Sequence, residues 1–416
     1  MSVTVRRWWR CPLDVESLAV SAVEAAADEA ARLSEERGRA RRVETTAELV
    51  RAAFGALSHL RVGGRSASVW APQSGFVRTR DGFVRTHANY PHHAEAIRQA
   101  TGAGDRPTLD DVASSWRADD LVAAITEAGG VAAVVRTEDE WLQHPHHLET
   151  VGEAWLDVAR TGSRALPPTA GLPLDGVRVL DLTRVLAGPS CSQLLACLGA
   201  DVLRVDGPRR PELIDQHLAT GMGKRSAIAD LNERSADVRA LARDADVVII
   251  GYRPGSLDRF GLSPDELAAE DPTLVVGSLS AWGETGPWGD RPGFDSIVQA
   301  ATGISMLCAD ADAVPGALPA QALDCATGAH LASRVMGLLA DGSGGIIRAS
   351  LLGAARTLLE RERVPHGSED PLGVPIANVS SPHGELLAVP PPLLVDRATI
   401  ERDVGGYGAS ALAWAR

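Results

Sequence analysis

The stretch GVRVLDLTRVLAGPSCSQLLACLGADVLRVD, residues 176–206, decides how this chain is read. Its opening Val-Arg-Val-Leu-Asp-Leu-Thr, 177–183, is a short apolar run suited to a buried strand. The following RVLAGP is a turn, and Pro189 is well placed in the first turn of a helix over 190–200. DVLRVD, 201–206, is the next strand. Working outward, the same alternation continues with a helix over 235–243 and the strand DVVIIG, 246–251. TLVVGSLS, 273–280, reads as another strand, and helices are expected near 294–303 and 327–339. Strand–helix–strand repetition with short loops predicts an α/β fold, an open parallel Rossmann-like sheet with helices on both faces.

Upstream the pattern differs. Residues 13–36 are Ala-rich and helix-forming, and a second helix is expected over 46–57. SGFVRTRDGFVRTHANYP predicts a β-hairpin turning at Arg80-Asp81-Gly82. Helices follow at 92–101, 108–116 and 119–127, then a strand in GVAAVVRT. The Pro- and Gly-rich ALPPTAGLPLDG, 165–176, is the best boundary in the chain. The reading is N-terminal helices and a smaller α+β domain over 1–164, a linker over 165–176, a large domain over 177–362, and an irregular C-terminal tail over 363–416.

The net charge of −13 on 416 residues, with no basic patch, argues against nucleic acid as a partner. The run RGRARR, 37–42, reads as a solvated linker between helices. Five cysteines without a C-x-x-C pair fit reduced thiols rather than disulfides or zinc. The opening MSVTVRRWWRCP lacks the apolar centre of a secretory leader, and no run is long enough to span a bilayer. A cytoplasmic protein without membrane contact is expected. His92 and His93, and His144, His146 and His147, lack one-face metal spacing; they read as solvated or capping, and no metal site is expected.

In open α/β sheets ligands bind beyond the carboxyl ends of the strands. Three such ends stand out: the loop Arg184 to Pro189, Tyr252-Arg253-Pro254-Gly255, and Ser280-Ala281-Trp282-Gly283. With Lys224, Arg225 and Arg259 near them in the pattern, they could hold a phosphorylated, adenine-bearing ligand. None is a dinucleotide fingerprint or a P-loop. Asp324, in QALDCATGAH (321–330), stands just ahead of the helical pattern. Two readings are open: a helix N-cap, or a nucleophile. Cys325 beside it has no sequence-placed His to act as its base.

In order and at similar spacing, GVRVLDLTRVLAGPSCSQLLACLGADVLRVD, GKRSAIADL, ADVVIIGYRPGSLDRFGL, GETGPWGDRPGFDSIVQAATG and ALDCATG resemble the large domain of the family III CoA-transferases, the CaiB/BaiF type. The likeness runs over about 174–359. It implies that Asp324 is the nucleophile, that a helix N-terminus keeps it ionised, and that small Ala326 and Gly328 leave room for a thioester. It implies too that Arg184, Leu186 and Ala187 line the coenzyme A site, with Tyr252, Ser256 and Arg259 around adenine and phosphates. Lys224 and Arg225 match the family's NKRS element.

The implied activity is transfer of coenzyme A between an acyl-CoA and a carboxylic acid through an aspartyl anhydride and an aspartyl-CoA thioester. Acyl-CoA is then a substrate, no permanently bound cofactor is expected, and a homodimer is. Leu186 stands where oxalate-handling members often carry Gln, which argues against oxalate-like acids. Gly251-Tyr252 departs from the family's Asn-containing step before Arg-Pro-Gly. The segments 74–102 and 121–146 resemble the family's small domain, which normally follows the large one and here precedes it. The family's Gly-rich lid is represented only by VGGRSASVWAPQ, 62–73. Two alternatives stand beside transfer. An α-methylacyl-CoA racemase would want a His where this chain has Phe294, in Gly293-Phe294-Asp295. A non-catalytic protein would bind the thioester without becoming acylated.

Overall fold

The computed structural model describes residue 3, residues 7–363 and residues 372–415. Helix α1 (Val15–Glu36) is followed by strands β1 (Gly75–Arg78) and β2 (Phe83–His87). Helices α2 (Pro91–Thr101), α3 (Arg106–Ala113) and α4 (Ala118–Glu127) lead to β3 (Val131–Val134) and β4 (Leu156–Ser163). Then come β5 (Arg178–Leu182), α5 (Ala187–Cys197), β6 (Asp201–Asp206), β7 (Lys224–Ile228), α6 (Leu231–Arg243), β8 (Val247–Ile250) and β9 (Val275–Ser280). Helices α7 (Asp295–Ala301) and α8 (Ala322–Ala340) precede β10 (Ser343–Ser350).

Seven strands form one sheet in the order β7-β6-β5-β8-β9-β10-β4, parallel except for β4, which runs antiparallel beside β10. The pleat sends alternate residues to opposite faces. Leu180, Leu182, Leu203, Val205, Val248 and Ile250 share a buried cluster with Val238 and Leu241 of α6. Val179, Val202, Val247 and Ile249 share another with Leu194 and Leu195 of α5 and Leu331 and Val335 of α8. Both faces are covered, so the central strands are apolar almost throughout. The strand order reverses between β5 and β8, where successive connections diverge and leave a crevice above the strand ends. The loops leaving those strands touch there: the Gly251 N–H donates to Leu182 O at 3.1 Å.

The expected hairpin forms, with β3 completing a three-stranded antiparallel sheet. Its own core holds Val77, Val84, Ile97, Leu109, Leu121 and Ile125.

Several expectations need correction. Helix α1 does not belong with this small module but lies along α8, tied by Arg32 donating to Gly337 O (2.9 Å) and Asp341 Oδ1 (2.7 Å). Strand β4, also placed before the boundary, is the edge of the large sheet; pairing on one side leaves it half exposed, so it reads as polar. The tail is not simply irregular. Ala377–Val379 pairs with Leu386–Ala388, which pairs with Arg61–Val62, while Leu394–Val395 pairs with Val43–Glu44. Residues 364–371 of that expected tail lie outside the described ones. RGRARR is only partly solvated: most of it is exposed, but Arg37 is buried and donates to Pro167 O and Pro173 O (both 2.9 Å), and half-buried Arg41 donates to Gly171 O. These guanidinium groups satisfy the carbonyls of a Pro-rich segment that has few N–H groups of its own. Among the described residues no helix is long and apolar enough to cross a membrane.

Candidate active site

Helix α8 begins at Ala322, earlier than the pattern predicted, with Gln321 at the cap position and no side-chain capping bond. Asp324 therefore sits within the first turn and is not the N-cap. Its carboxylate makes no hydrogen bond among the described residues, although only 7% of the residue is exposed. What it has instead is a second carboxylate nearby. Asp295, the first residue of α7, is fully buried and its Oδ2 accepts the Asp324 backbone N–H at 3.0 Å. Gln299 donates to the other Asp295 oxygen, and Gln299 Oε1 accepts the Leu318 N–H at 2.9 Å.

The electrostatics run against one expectation. Burial, reinforced by the Asp295 charge, raises the Asp324 pKa well above the ordinary carboxylate value, opposite in direction to the lowering a helix N-terminus alone would give. Burial raises Asp295 as well, to about 6. Cys325 is pushed well up by burial and by the Asp324 charge, so its thiol stays protonated and is a poor nucleophile.

Asp324 lines a cavity of about 250 Å³ together with Val185, Leu186 and Ser190, Phe294, and residues 389–392 of the C-terminal segment. The small module contributes His87 and Asn89. Val185 has φ 71°, a left-handed conformation that costs a β-branched residue on the order of 1–3 kcal/mol. Glu212 holds the turn in place: its Oε2 accepts the Val185 N–H (2.8 Å) and Arg204 Nη2 (3.0 Å), and its Oε1 accepts Tyr90 Oη–H (2.6 Å).

The sequence-predicted residues divide. Leu186 lines the cavity and Ala187 is buried behind it as the first residue of α5. Arg184 lies over the Tyr90 ring, 4.8 Å from its centroid, and donates to Pro211 O. Tyr252, Ser256 and Arg259 sit apart from the Asp324 cavity on the loop after β8; Ser256 Oγ donates to Arg253 O and Arg259 stacks on Phe260. Lys224 is not available to a ligand: its Nζ is buried and engages Asp181 Oδ2 (3.2 Å), Ser192 Oγ (2.8 Å) and Pro189 O (3.0 Å). Arg225 pairs instead with Asp201 and donates to Ala413 O, away from the cavity. Gly328 does not make room for a thioester either. A Cβ there would lie 2.4 Å from Ala187 O, so its smallness serves the crossing of α5 and α8, and Ala326 is buried in the core. The histidines are not all solvated or capping. His144 caps its helix, accepting the His146 N–H (3.2 Å), but His93 and His146 are buried and hydrogen-bonded.

Asp295 was missed in the sequence because the Gly293-Phe294-Asp295 step was weighed only for an absent His. A carboxylate opening a helix in a segment of small and apolar residues was the available signal. His87 carried none, since neither spacing nor motif singles it out.

Residues 174–381, half of the chain, match the description CoA-transferase family III. The chain belongs to that family. Among the relatives of this family III chain, a probable fatty acyl-CoA transferase of Mycobacterium tuberculosis is 38% identical over 182 residues, 40% of this chain and 46% of the relative. A succinate–glutarate CoA-transferase of Agrobacterium fabrum is 34% identical over 221 residues, 47% and 55% respectively. The crystal structure of a CAIB/BAIF family protein from Brucella suis is 29% identical, covering 52% of this chain and 65% of that one with a TM-score of 0.42. The chain thus spans about half the length of the first two relatives.

Proposed function

We propose that this chain transfers coenzyme A between an acyl-CoA thioester and a carboxylic acid, with Asp324 as nucleophile. The observation carrying this reading is a carboxylate without a hydrogen bond among the described residues, at the wall of a cavity between the Val185–Ser190 turn and the small module. The Asp324 carboxylate attacks the thioester carbonyl, forming a mixed anhydride and expelling coenzyme A as thiolate. The thiolate attacks the Asp324 carbonyl of the anhydride, releasing the first acid and leaving an aspartyl-CoA thioester. The acceptor carboxylate attacks that thioester to give a second anhydride and free thiolate. Thiolate attack on the acceptor's carbonyl yields the new acyl-CoA and restores Asp324. Covalent relay splits one difficult transfer into easier steps.

Arg184, Leu186 and Ala187 are proposed to border the pantetheine end, with Tyr252, Ser256 and Arg259 at the nucleotide end. Lys224 and Arg225 have no place in this scheme. By family likeness the enzyme is taken to work as a cytoplasmic homodimer, with acyl-CoA and a carboxylic acid as its partners and no permanent cofactor.

Intact-protein mass spectrometry after mixing with a panel of acyl-CoAs, with and without hydroxylamine, tests the reading. An adduct on the wild type that hydroxylamine converts to a hydroxamate at Asp324, absent from Asp324→Ala, is expected. Coenzyme A binding without any adduct would leave a thioester-binding protein.

A further inference from the structure

Of the two polar groups that the small module places at the wall of the Asp324 cavity, His87 and Asn89, the scheme above uses neither. His87, the last residue of β2, is buried and lines that cavity. Its ring lies flat on Phe294, centroids 3.7 Å apart and planes at 1°. Phe294 immediately precedes Asp295, which holds the Asp324 backbone N–H. The imidazole is therefore fixed relative to the first turn of α8 by one stack and one hydrogen bond.

The ring is fixed from its other side too. His87 Nδ1 lies 3.1 Å from His93 Nδ1, hydrogen-bond distance for a pair in which one ring donates and the other accepts. Among the described residues, His87 Nε2 makes no hydrogen bond within the protein. When His93 supplies the bridging proton, the one proton of a neutral His87 must sit on Nε2. Burial, together with the neighbouring His93 and Arg85, pushes the His87 pKa well below its ordinary value. Burial likewise pulls His93 down to about 3, so neither ring carries charge at neutral pH. A thioester or anhydride carbonyl only accepts hydrogen bonds, so substrate in the cavity favours the tautomer with a proton on Nε2.

We propose that His87 is a catalytic residue that donates a hydrogen bond from Nε2 to the carbonyl oxygen of the acyl group attacked by Asp324. The role rests on the transferase reading. As negative charge builds on that oxygen, the neutral imidazole stabilises it without giving up its proton. No bond to hydrogen breaks, and the electron pair returns from the oxygen when thiolate leaves. A donor fixed before the reaction begins is worth most where water is excluded. His93 acts one step back, as a positioning residue that selects the tautomer.

Single-turnover acylation of Asp324, followed by quenched-flow mass spectrometry at saturating acyl-CoA, is the test. His87→Phe keeps a ring to stack on Phe294 and removes both nitrogens. It should slow acylation about 100-fold while leaving the Kd for coenzyme A unchanged. His87→Gln, which restores a donor, should recover part of that loss, and His93→Phe should show a smaller deficit. Should His87→Phe fall short of the wild-type thermal midpoint, His87→Leu makes the same comparison. Acylation of the folded variant at the wild-type rate would overturn the role of His87 alone. A wild type that forms no adduct would overturn the transferase reading, and this role with it.

Discussion

Two clusters of buried charge lie on this fold, and they are built on opposite plans. In the first, around β5, β6 and β7, every charge has a partner. Lys224 Nζ spends its hydrogens on Asp181, Ser192 and Pro189 O, while Arg204 engages both oxygens of Asp206 (2.7 and 2.9 Å) and one of Glu212 (3.0 Å). In the second, at the first turns of α7 and α8, Asp295 and Asp324 form no ion pair among the described residues. Burying a charge is tolerable only when a partner replaces the lost water. The first cluster meets that condition and acts as scaffold, holding the Val185 turn through Glu212. The second meets it only in part: among the described residues the Asp324 carboxylate has no partner, which is what the proposed attack would require.

Breaking the first cluster should have the largest effect. Lys224→Met leaves Asp181 ionised and without its cation, and should lower stability to urea by about 3–5 kcal/mol. If Lys224 instead served a phosphate, the urea midpoint would hardly move and coenzyme A affinity would fall.

The second cluster can be sharpened through pH. Asp295→Asn keeps an oxygen to accept the Asp324 N–H but removes the like charge. The Asp324 pKa should drop, and the acid limb of the acylation rate should move to lower pH. Stability should move as well. The Asp295 pKa is raised above its ordinary value, to about 6. Its contribution is therefore complete below about pH 4 and lost as pH rises through about 6. The wild type should lose about 3 kcal/mol relative to Asp295→Asn across that window, read from urea midpoints at several pH values. A difference that is flat with pH would mean Asp295 is not held protonated.

The smallest effect concerns the helix crossing beneath the site. Gly328→Ala would push against Ala187 O and should cost about 1–3 kcal/mol, seen as a lower Tm. An unchanged Tm would show that α5 and α8 have slack to separate.

Much of the fold was legible because β5, β6, β8 and β9 are buried on both faces. Their apolar runs are punctuated by Asp, Gly and Pro where the chain turns. The edge strand β4, paired on one side and half exposed, was not legible, nor were the two- and three-residue strands of the C-terminal segment, which are too short to show a period. At the site, Asp324 could be picked out, but its environment could not. Its burial and the approach of Asp295, a tertiary contact between two helix starts, together reverse the sign of the pKa shift expected from a helix end alone. Lys224 shows the converse. A lysine opening a strand reads as a phosphate ligand until Asp181, two strands away in the same sheet, claims it.

The pairing of Val43 with Val395, and of Val62 with Leu386, has a consequence for how the molecule is made. Each pairing joins strands that more than three hundred residues of chain separate, so the strands near residues 43 and 62 meet their partners only through long-range closure. Contacts this remote in sequence close slowly. Until they close, the Pro-rich stretch 389–392 cannot wall the cavity, and the apolar lining around Leu186 and Phe54 stays open to water. The large sheet, built from strands closer together in sequence, can thus form before this wall is in place, and the cavity takes its shape late in folding.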